Sequence, residues 1–553
     1  MFQGWINAMI SALQIDPVDD VAVALRELAP GDKIVDGAVA SETIPVKQKA
    51  ALRAFAPGDR IRMYGVTVAT ATKPISAGGL LSTENVEHAS DGFSADGART
   101  GEWTGPDVSS LTGRTFDGFH RSDGQVGTAN TWIVIPMVFC ENRNLEVMRE
   151  AFSKALGFDR SSPYERFVAN LAARHRCGAT PEQLLAEALP DADPKAARLF
   201  PNIDGVKFLT HGIGCGGTRQ DSSALCALLA GYATNPNVAG VTVFSLGCQN
   251  AEVSDFERGI AERDPGFDKP LLIFEQQKYQ SERDLMAESI KQTFAGLIKA
   301  NEQTRKPAPL SKLTFGMECG GSDGFSGVSA NPAIGHVSDT VVALGGRVIL
   351  SEFPELCGVE QELINRCASD ESANRFAELM TRYNDRAKQA GSSFSANPSP
   401  GNIRDGLITD AIKSAGAAKK GGTSPIVDVL DYTEPVRHNG LSLLCTPGND
   451  VESTTAMAGS GANLMLFSTG LGTPTGNPIT PTLKVASNTE LAERMPDLID
   501  FDTGAIVRGE STIAETGQQL LELAIQTASG TYESKASRLG QEDFLPWKRG
   551  VSL

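Results

Sequence analysis

Five apolar runs in this chain of 553 residues each end in a short loop of glycine, cysteine and small polar residues, and that recurrence most constrains how the chain folds. Leu313 to Met317 leads into Cys319-Gly-Gly-Ser-Asp-Gly-Phe-Ser-Gly-Val-Ser-Ala-Asn-Pro332. Val206 to Thr210 leads into His211-Gly-Ile-Gly-Cys215-Gly-Gly, and Val241 to Leu246 into Gly247-Cys248-Gln-Asn. Leu441 to Leu444 leads into Cys445-Thr-Pro-Gly-Asn-Asp450, and Leu464 to Phe467 into Ser468-Thr-Gly-Leu-Gly472. Apolar runs this short read as buried strands. In open α/β sheets ligands sit outside the carboxyl ends of the strands. One such loop by itself reads as a tight turn into a helix; five alike predict a shared site.

Stretches of helical spacing alternate with these strands: Leu145, Met148, Phe152 and Leu156; Asp221 to Tyr232; Val253 to Arg263. Such βαβ alternation predicts parallel sheets with covering helices. Residues 15 to 90 differ, with short apolar runs broken by Pro-Gly and Gly-Asp turns, the pattern of a small all-β unit. A Ser, Gly and Asp-rich stretch follows, which reads as a linker. The expected organisation is a β module at 1–92, a linker at 93–115 and α/β domains at 116–280 and 281–553. Ser281 caps a long helix with Met286, Ile290, Phe294 and Leu297 as its apolar stripe. The linker has few apolar anchors, so the β module is expected to be dispensable for folding of the rest.

The formal net charge of −17 disfavours nucleic acid and anionic membranes as partners, since both need a basic footprint. An acidic substrate would need local Lys, Arg or metal. Nine cysteines without a Cys-x-x-Cys pair do not form a disulfide framework, and a reducing cytoplasm is the expected home. The longest apolar run, Trp132 to Cys140, is interrupted by Pro136 and falls short of the ~20 residues that span a bilayer.

Gly212-Ile-Gly-Cys-Gly-Gly217 matches the dinucleotide fingerprint, but the acidic residue expected at the next strand end is missing: that strand ends Gly247-Cys248-Gln249. Cys215, Cys248 and Cys319 each follow a strand. A parallel sheet could gather them to hold iron, or three irons of an Fe–S cluster with the fourth open; the alternative is three small buried hydrophobes. Cys177, Cys226, Cys357 and Cys367 read as structural, and Cys445 stays open. His211 and His120 are candidate bases or ligands, whereas His88, His175 and His438 have no supporting context. Glu352 and Glu355 form a carboxylate pair able to divide acid and base duties if burial separates their pKa values, or else a solvated acidic loop. Arg121 and Arg219 are candidate carboxylate clamps.

Phe119-His-Arg-Ser-Asp-Gly-Gln-Val-Gly127, His211 to Gly217, Gly247-Cys248, the Cys319 loop through Gly335, Ser351-Glu-Phe-Pro-Glu355 and Phe467 to Gly472 together resemble the altronate and galactarate dehydratase family, over nearly the whole chain. The resemblance implies loss of water from a sugar acid to give a 2-keto-3-deoxy acid, with bound Fe2+, or alternatively Mn2+ or an Fe–S cluster. On this reading His211, Asp323, Glu352 and Glu355 are catalytic. Arg121, Arg219, Ser322, Asn331 and Thr469 bind substrate, and Cys215, Cys248 and Cys319 bind metal. The segments from Ile44 and from Ile75 resemble the β-clip (SAF) module that opens this family. Where many relatives carry histidines, this chain has Asp16, Ser82 and Glu84; Asp16 and Glu84 could still hold a cation. Gly247-Cys248-Gln-Asn and Thr128-Ala-Asn130-Thr-Trp132 resemble the altronate branch, so altronate is expected ahead of galactarate. A related sulfo-lyase, an NAD-dependent oxidoreductase and a non-catalytic carbohydrate-binding protein are the alternatives. The expected partner is a small sugar acid, and a homo-oligomer is compatible with the sequence.

Overall fold

A computed structural model describes residues 11–35, 37–96, 101–158, 163–190 and 197–552. The chain is α/β, with a small strand-rich module first. That module pairs Ala12–Leu13, Val21–Ala24, Lys49–Ala51 and Leu80–Leu81 in one antiparallel sheet, and Arg60–Met63, Val66–Ala71 and Val86–His88 in another. Its strands are short because Pro-Gly and Gly-Asp turns interrupt every apolar run.

The second unit is a four-stranded parallel sheet in the order Gly205–Phe208, Thr131–Pro136, Val238–Ser245, Leu271–Glu275. Its two central strands are buried throughout, which is why they read as unbroken apolar runs. Ser281 caps the helix Glu282–Ala300 through Asp284 N. That helix packs on this sheet, turned from the expected stripe: Leu285, Met286, Ser289, Thr293 and Leu297 face inward while Phe294 is 36% exposed. Thr293 is drawn inside by Thr242, whose hydroxyl lies 2.7 Å from its own. Strands Thr115–His120 and Lys306–Pro309 pair antiparallel where the chain enters and leaves this unit.

The third unit is a seven-stranded parallel sheet in the order Ile426–Leu430, Gly440–Leu444, Arg347–Leu350, Thr314–Cys319, Leu464–Thr469, Thr482–Ala486, Phe501–Asp502. From Thr314–Cys319 the chain passes to the neighbour on one side; from Leu464–Thr469 it passes to the other. The switch point therefore lies between these two strands, where a ligand crevice is expected. Helix Ala330–Ala343 covers one face. Helix Asp450–Gly459 covers the other and meets helix Arg219–Thr234 of the second unit. A Cβ at Gly231 would fall 2.0 Å from the Gly459 carbonyl oxygen, so glycine is what lets these helices touch.

The β module packs into the body: its Val21, Phe55, Tyr64 and Val68 share one apolar core with Phe325, Val328, Leu407 and Ile408 of the third unit, contacts that the linker's few apolar anchors do not announce. The linker itself is tied down at Ser94 N, which donates to Gln361 Oε1, and at Trp103 Nε1, which donates to Thr423 Oγ1.

Candidate active site

At the switch point, Gly320 N donates to Ser468 O and Gly470 N to Gly321 O, clasping the two strand ends. Cys319, the last residue of the central strand, is buried, and Lys420 Nζ stands 2.6 Å from its sulfur. Around this pair lie Glu318, Glu352, Glu355, Lys413 and Asp450. Gly320 must be glycine here, because a Cβ would fall 1.9 Å from Asp450 Oδ2.

The carboxylates are driven apart electrostatically. Glu352 is fully buried, and burial together with Glu318 and Glu355 raises its carboxyl well above the usual range. Its backbone is left-handed, φ +66°, a conformation that costs a non-glycine residue roughly 1–3 kcal/mol. Thr446 holds that turn by accepting from Glu352 N at 2.9 Å. Burial pushes Glu318 up to about 7, against opposing contributions from Glu352 and Lys420, and Ser453 Oγ donates to its Oε2. Glu318 and Glu352 are thus placed to share one proton. Burial acts upward on Glu355 too, but Lys413, 2.5 Å from Oε1, and Lys420 outweigh it and hold Glu355 below its ordinary value. Both lysines are held above theirs: burial works against it, and the surrounding carboxylates and Cys319 prevail. Two cations, one ionised carboxylate and one protonated pair therefore coexist in a small space, with Lys420 and the glutamates buried and Lys413 half-buried at its edge.

Asp323 lies beside this cluster but is saturated. It accepts from Ser326 Oγ, Ser487 Oγ and Asn488 Nδ2, and pairs with Lys47 of the β module at 3.0 Å. It anchors the module to the strand end. Ser322 donates nothing to that anchor, but its carbonyl accepts from Asn402 Nδ2 at 2.7 Å. Asn331 bridges Ser468 Oγ and Gly416 O, and Thr469 Oγ1 accepts from Gly472 N and Thr473 N; both shape the loops. The segment 394–406, legible in the sequence only as a polar loop, covers the site. Its Asn397 reaches Glu355 and Lys413, and Asp405 O accepts from Gly324 N.

The four-stranded sheet places its residues differently. His211 is buried with Nε2 donating to Pro136 O at 2.8 Å and Nδ1 accepting from Ile213 N; burial pulls it down to about 4, so it is a neutral, backbone-locked ring. Cys215 and Cys248 are exposed on adjacent loops, joined where Asn250 N donates to Gly214 O. Arg219 is the exposed first residue of its helix. Arg121 sits at the opposite, amino-terminal ends of the strands, its donors spent on Pro236 O, Ala129 O, Asn130 Oδ1 and Gln303 Oε1. It clamps the protein's own backbone. Asp16 caps Val18 N in a turn of the β module, and Glu84 is exposed.

At this strand end, ligand atoms close enough to share one cation come from Cys319, Glu352 and Glu355, and from Glu318, Glu352 and Asp450. Cys215, Cys248, Asp16 and Glu84 belong to no such group, so the structure does not gather three strand-end thiolates. The first set offers one sulfur and carboxylate oxygens, and Glu352 Oε1 is buried without a partner. That donor set fits a single borderline divalent ion such as Fe2+ or Mn2+ and lacks the thiolates of an Fe–S cluster.

Comparison with known proteins agrees with this division into units. Residues 10–89 match the altronate/galactarate dehydratase SAF domain, 118–301 the D-galactarate dehydratase/altronate hydrolase second domain, and 310–552 the D-galactarate/altronate dehydratase C-terminal domain. Altronate dehydratase of Escherichia coli K12 is 32% identical, over 98% of this chain and 99% of that protein. The chain belongs to the altronate/galactarate dehydratase family. The altronate dehydratase of Bacillus subtilis 168 is 31% identical across 99% of the chain and all of its own length, and the E. coli galactarate dehydratase (L-threo-forming) 29% across 96% and 95%. In this dehydratase-family chain, sequence reasoning found Cys319, Glu352 and Glu355 but missed Glu318, Lys413 and Lys420. The signal for the lysines was there: Lys413, Lys419 and Lys420 are the cations of a small-residue stretch running into Gly421-Gly422.

Proposed function

We propose that the chain is a hydro-lyase that removes water from altronate to give 2-keto-3-deoxygluconate. The observation that carries this reading is the cluster of Glu318, Glu352 and Glu355 packed against buried Lys420 and half-buried Lys413 at the carboxyl end of the central strand. Dehydration of a 2,3-dihydroxy acid removes the C2 proton and expels the C3 hydroxyl. Ionised Glu355 is the base for the C2 proton. Lys413 and Lys420 stabilise the enediolate that forms at the substrate carboxylate. The proton held between Glu318 and Glu352 goes to the departing hydroxyl, which leaves as water, and the enol then tautomerises to the ketone. A divalent cation held by Cys319, Glu352 and Glu355 would supply Lewis-acid polarisation, displacing the Cys319 thiol proton and leaving the acid's proton on Glu318. The glutamates and Lys420 are buried beneath the 394–406 segment, and half-buried Lys413 is the member of the cluster open to solvent.

The two full-length altronate dehydratase relatives support altronate over galactarate. So does the cation inventory. At this strand end Lys47 is committed to Asp323, Lys49 Nζ to Gly406 O and Lys484 Nζ to Thr473 O, which leaves no spare clamp among the described residues for a second carboxylate. Nine cysteines with no disulfide among them support a reducing cytoplasmic setting, and among the described residues no helix is long and apolar enough to cross a membrane. The test is kcat/KM for altronate and galactarate with the 2-keto-3-deoxy product measured directly, under reducing, Fe2+-supplied conditions. Preference for galactarate would refute the substrate. Absence of 2-keto-3-deoxy product from either acid would refute the reaction.

A further inference from the structure

The junction between the β module and the seven-stranded body holds another group of metal-capable side chains, sharing no residue with the Cys319 cluster. His88 ends strand Val86–His88, Cys357 follows the short helix Phe353–Leu356, and Asp410 opens helix Asp410–Ala418. A ring nitrogen, the thiol sulfur and a carboxylate oxygen of these three lie within 4.8 Å of one another. Nothing around His88 in the sequence singles it out, and Cys357 reads there as structural.

Asp410 is only 2% exposed, and apart from the Cys357 thiol beside it neither of its carboxylate oxygens has a hydrogen-bond partner. A carboxylate in that state is expensive unless something positive or a proton satisfies it. Burial accordingly pushes it up to about 8. Glu360, also buried, faces the same thiol, with one oxygen accepting from Gly358 N at 2.7 Å. His88 Nδ1 accepts from Ala411 N at 3.3 Å, which fixes the ring against the helix, and burial lowers its pKa so that it stays in the neutral, ligating form.

We propose that His88, Cys357 and Asp410 bind a divalent cation of borderline softness, Zn2+ fitting best, that staples the β module to the body carrying the Cys319 cluster. One imidazole, one thiolate and one carboxylate are a ligand set zinc accepts, with Glu360 or water for the fourth position. The three ligands come from three separated segments, two of them in the body and one in the module, so binding crosses the junction. Cys357 is two residues beyond Glu355 and Asp410 three before Lys413. An ion there fixes the register of the Glu355–Lys413 pair.

The test uses the full-length protein, stripped of metal by chelation and shown by circular dichroism to remain folded. One equivalent of Co2+ should give a thiolate-to-cobalt charge-transfer band. That band should survive in Cys319→Ser, vanish in Cys357→Ser, and need at least tenfold more Co2+ in His88→Gln and Asp410→Asn. Zn2+ should raise the Tm of the wild type and slow proteolysis within 93–115, and do neither in Cys357→Ser. A band that follows Cys319 instead of Cys357, or a stripped wild type that binds neither Co2+ nor Zn2+, would overturn the proposal and leave a proton-sharing thiol–carboxylate cluster in its place.

Discussion

The two parallel sheets end their strands in the same vocabulary, glycine-rich loops with a cysteine, yet the surroundings of those loops are opposite. On the four-stranded sheet Cys215 and Cys248 are exposed, and His211, though buried, is locked to Pro136 O. On the seven-stranded sheet Cys319 is buried against Lys420, and three glutamates and a second lysine close around it. The difference is made by what packs above the loop. Over Cys319 the chain folds the Glu352 turn, helix Asp410–Ala418 and the 394–406 segment. Reactive chemistry at neutral pH needs groups pushed from their ordinary protonation states, and only the second arrangement does this on a scale suited to catalysis.

The largest expected effect follows directly. Lys420→Met removes the cation nearest Cys319 and Glu352, and Glu352→Gln removes the shared proton; each should lower kcat by at least about 100-fold, the usual scale for one acid–base or electrostatic group. Cys215→Ala and Cys248→Ala should stay within a few-fold of wild type. Steady-state kinetics on the four variants decides. If Cys215→Ala falls as far as Lys420→Met, the two strand ends form one site and the contrast fails.

The next effect concerns Arg121, which sequence reasoning set as a substrate clamp and the structure sets at the far end of the four-stranded sheet. Arg121→Ala leaves Pro236 O and Asn130 without their donor in a buried place, at a cost of about 3–5 kcal/mol. Thermal or urea unfolding should show that loss, while KM for the sugar acid should be unchanged. A raised KM with unaltered stability would restore the clamp.

The strands were legible because burial on both faces writes unbroken apolar runs, and the site's general place followed from their Gly-rich ends. What was not legible is telling. Glu318 sits between the apolar run that marks the central strand and the Cys319 loop, where one polar residue carries no signal until Ser453 and Glu352 are folded against it. Lys413, Lys420 and Asn397 come from segments whose role depends on long-range packing, more than 40 residues from any strand end they serve. The stripe of helix Glu282–Ala300 misled for a related reason: Thr293 is paired inside by Thr242, so an apolar-only template rotates the helix the wrong way. Three cysteines with alike loops looked alike, since loop composition does not encode what covers it.

The smallest effect tests the neutral state of His211. Its folded value, about 4, lies below the ordinary 6.5, so between those limits the unfolded chain holds a proton that the folded chain does not. Stability from this group is therefore complete above pH 6.5 and is lost as pH falls toward 4, amounting to about 3 kcal/mol in full. His211→Gln, which can keep one backbone hydrogen bond but cannot titrate, should lose less stability than wild type over that window, and the gap between their urea midpoints should close as the pH is lowered. A gap that stays constant from pH 6.5 to 4 would mean that the ring titrates alike in both states. His211 would then be open to protonation near neutrality, as a base must be, and the four-stranded sheet would have chemistry of its own.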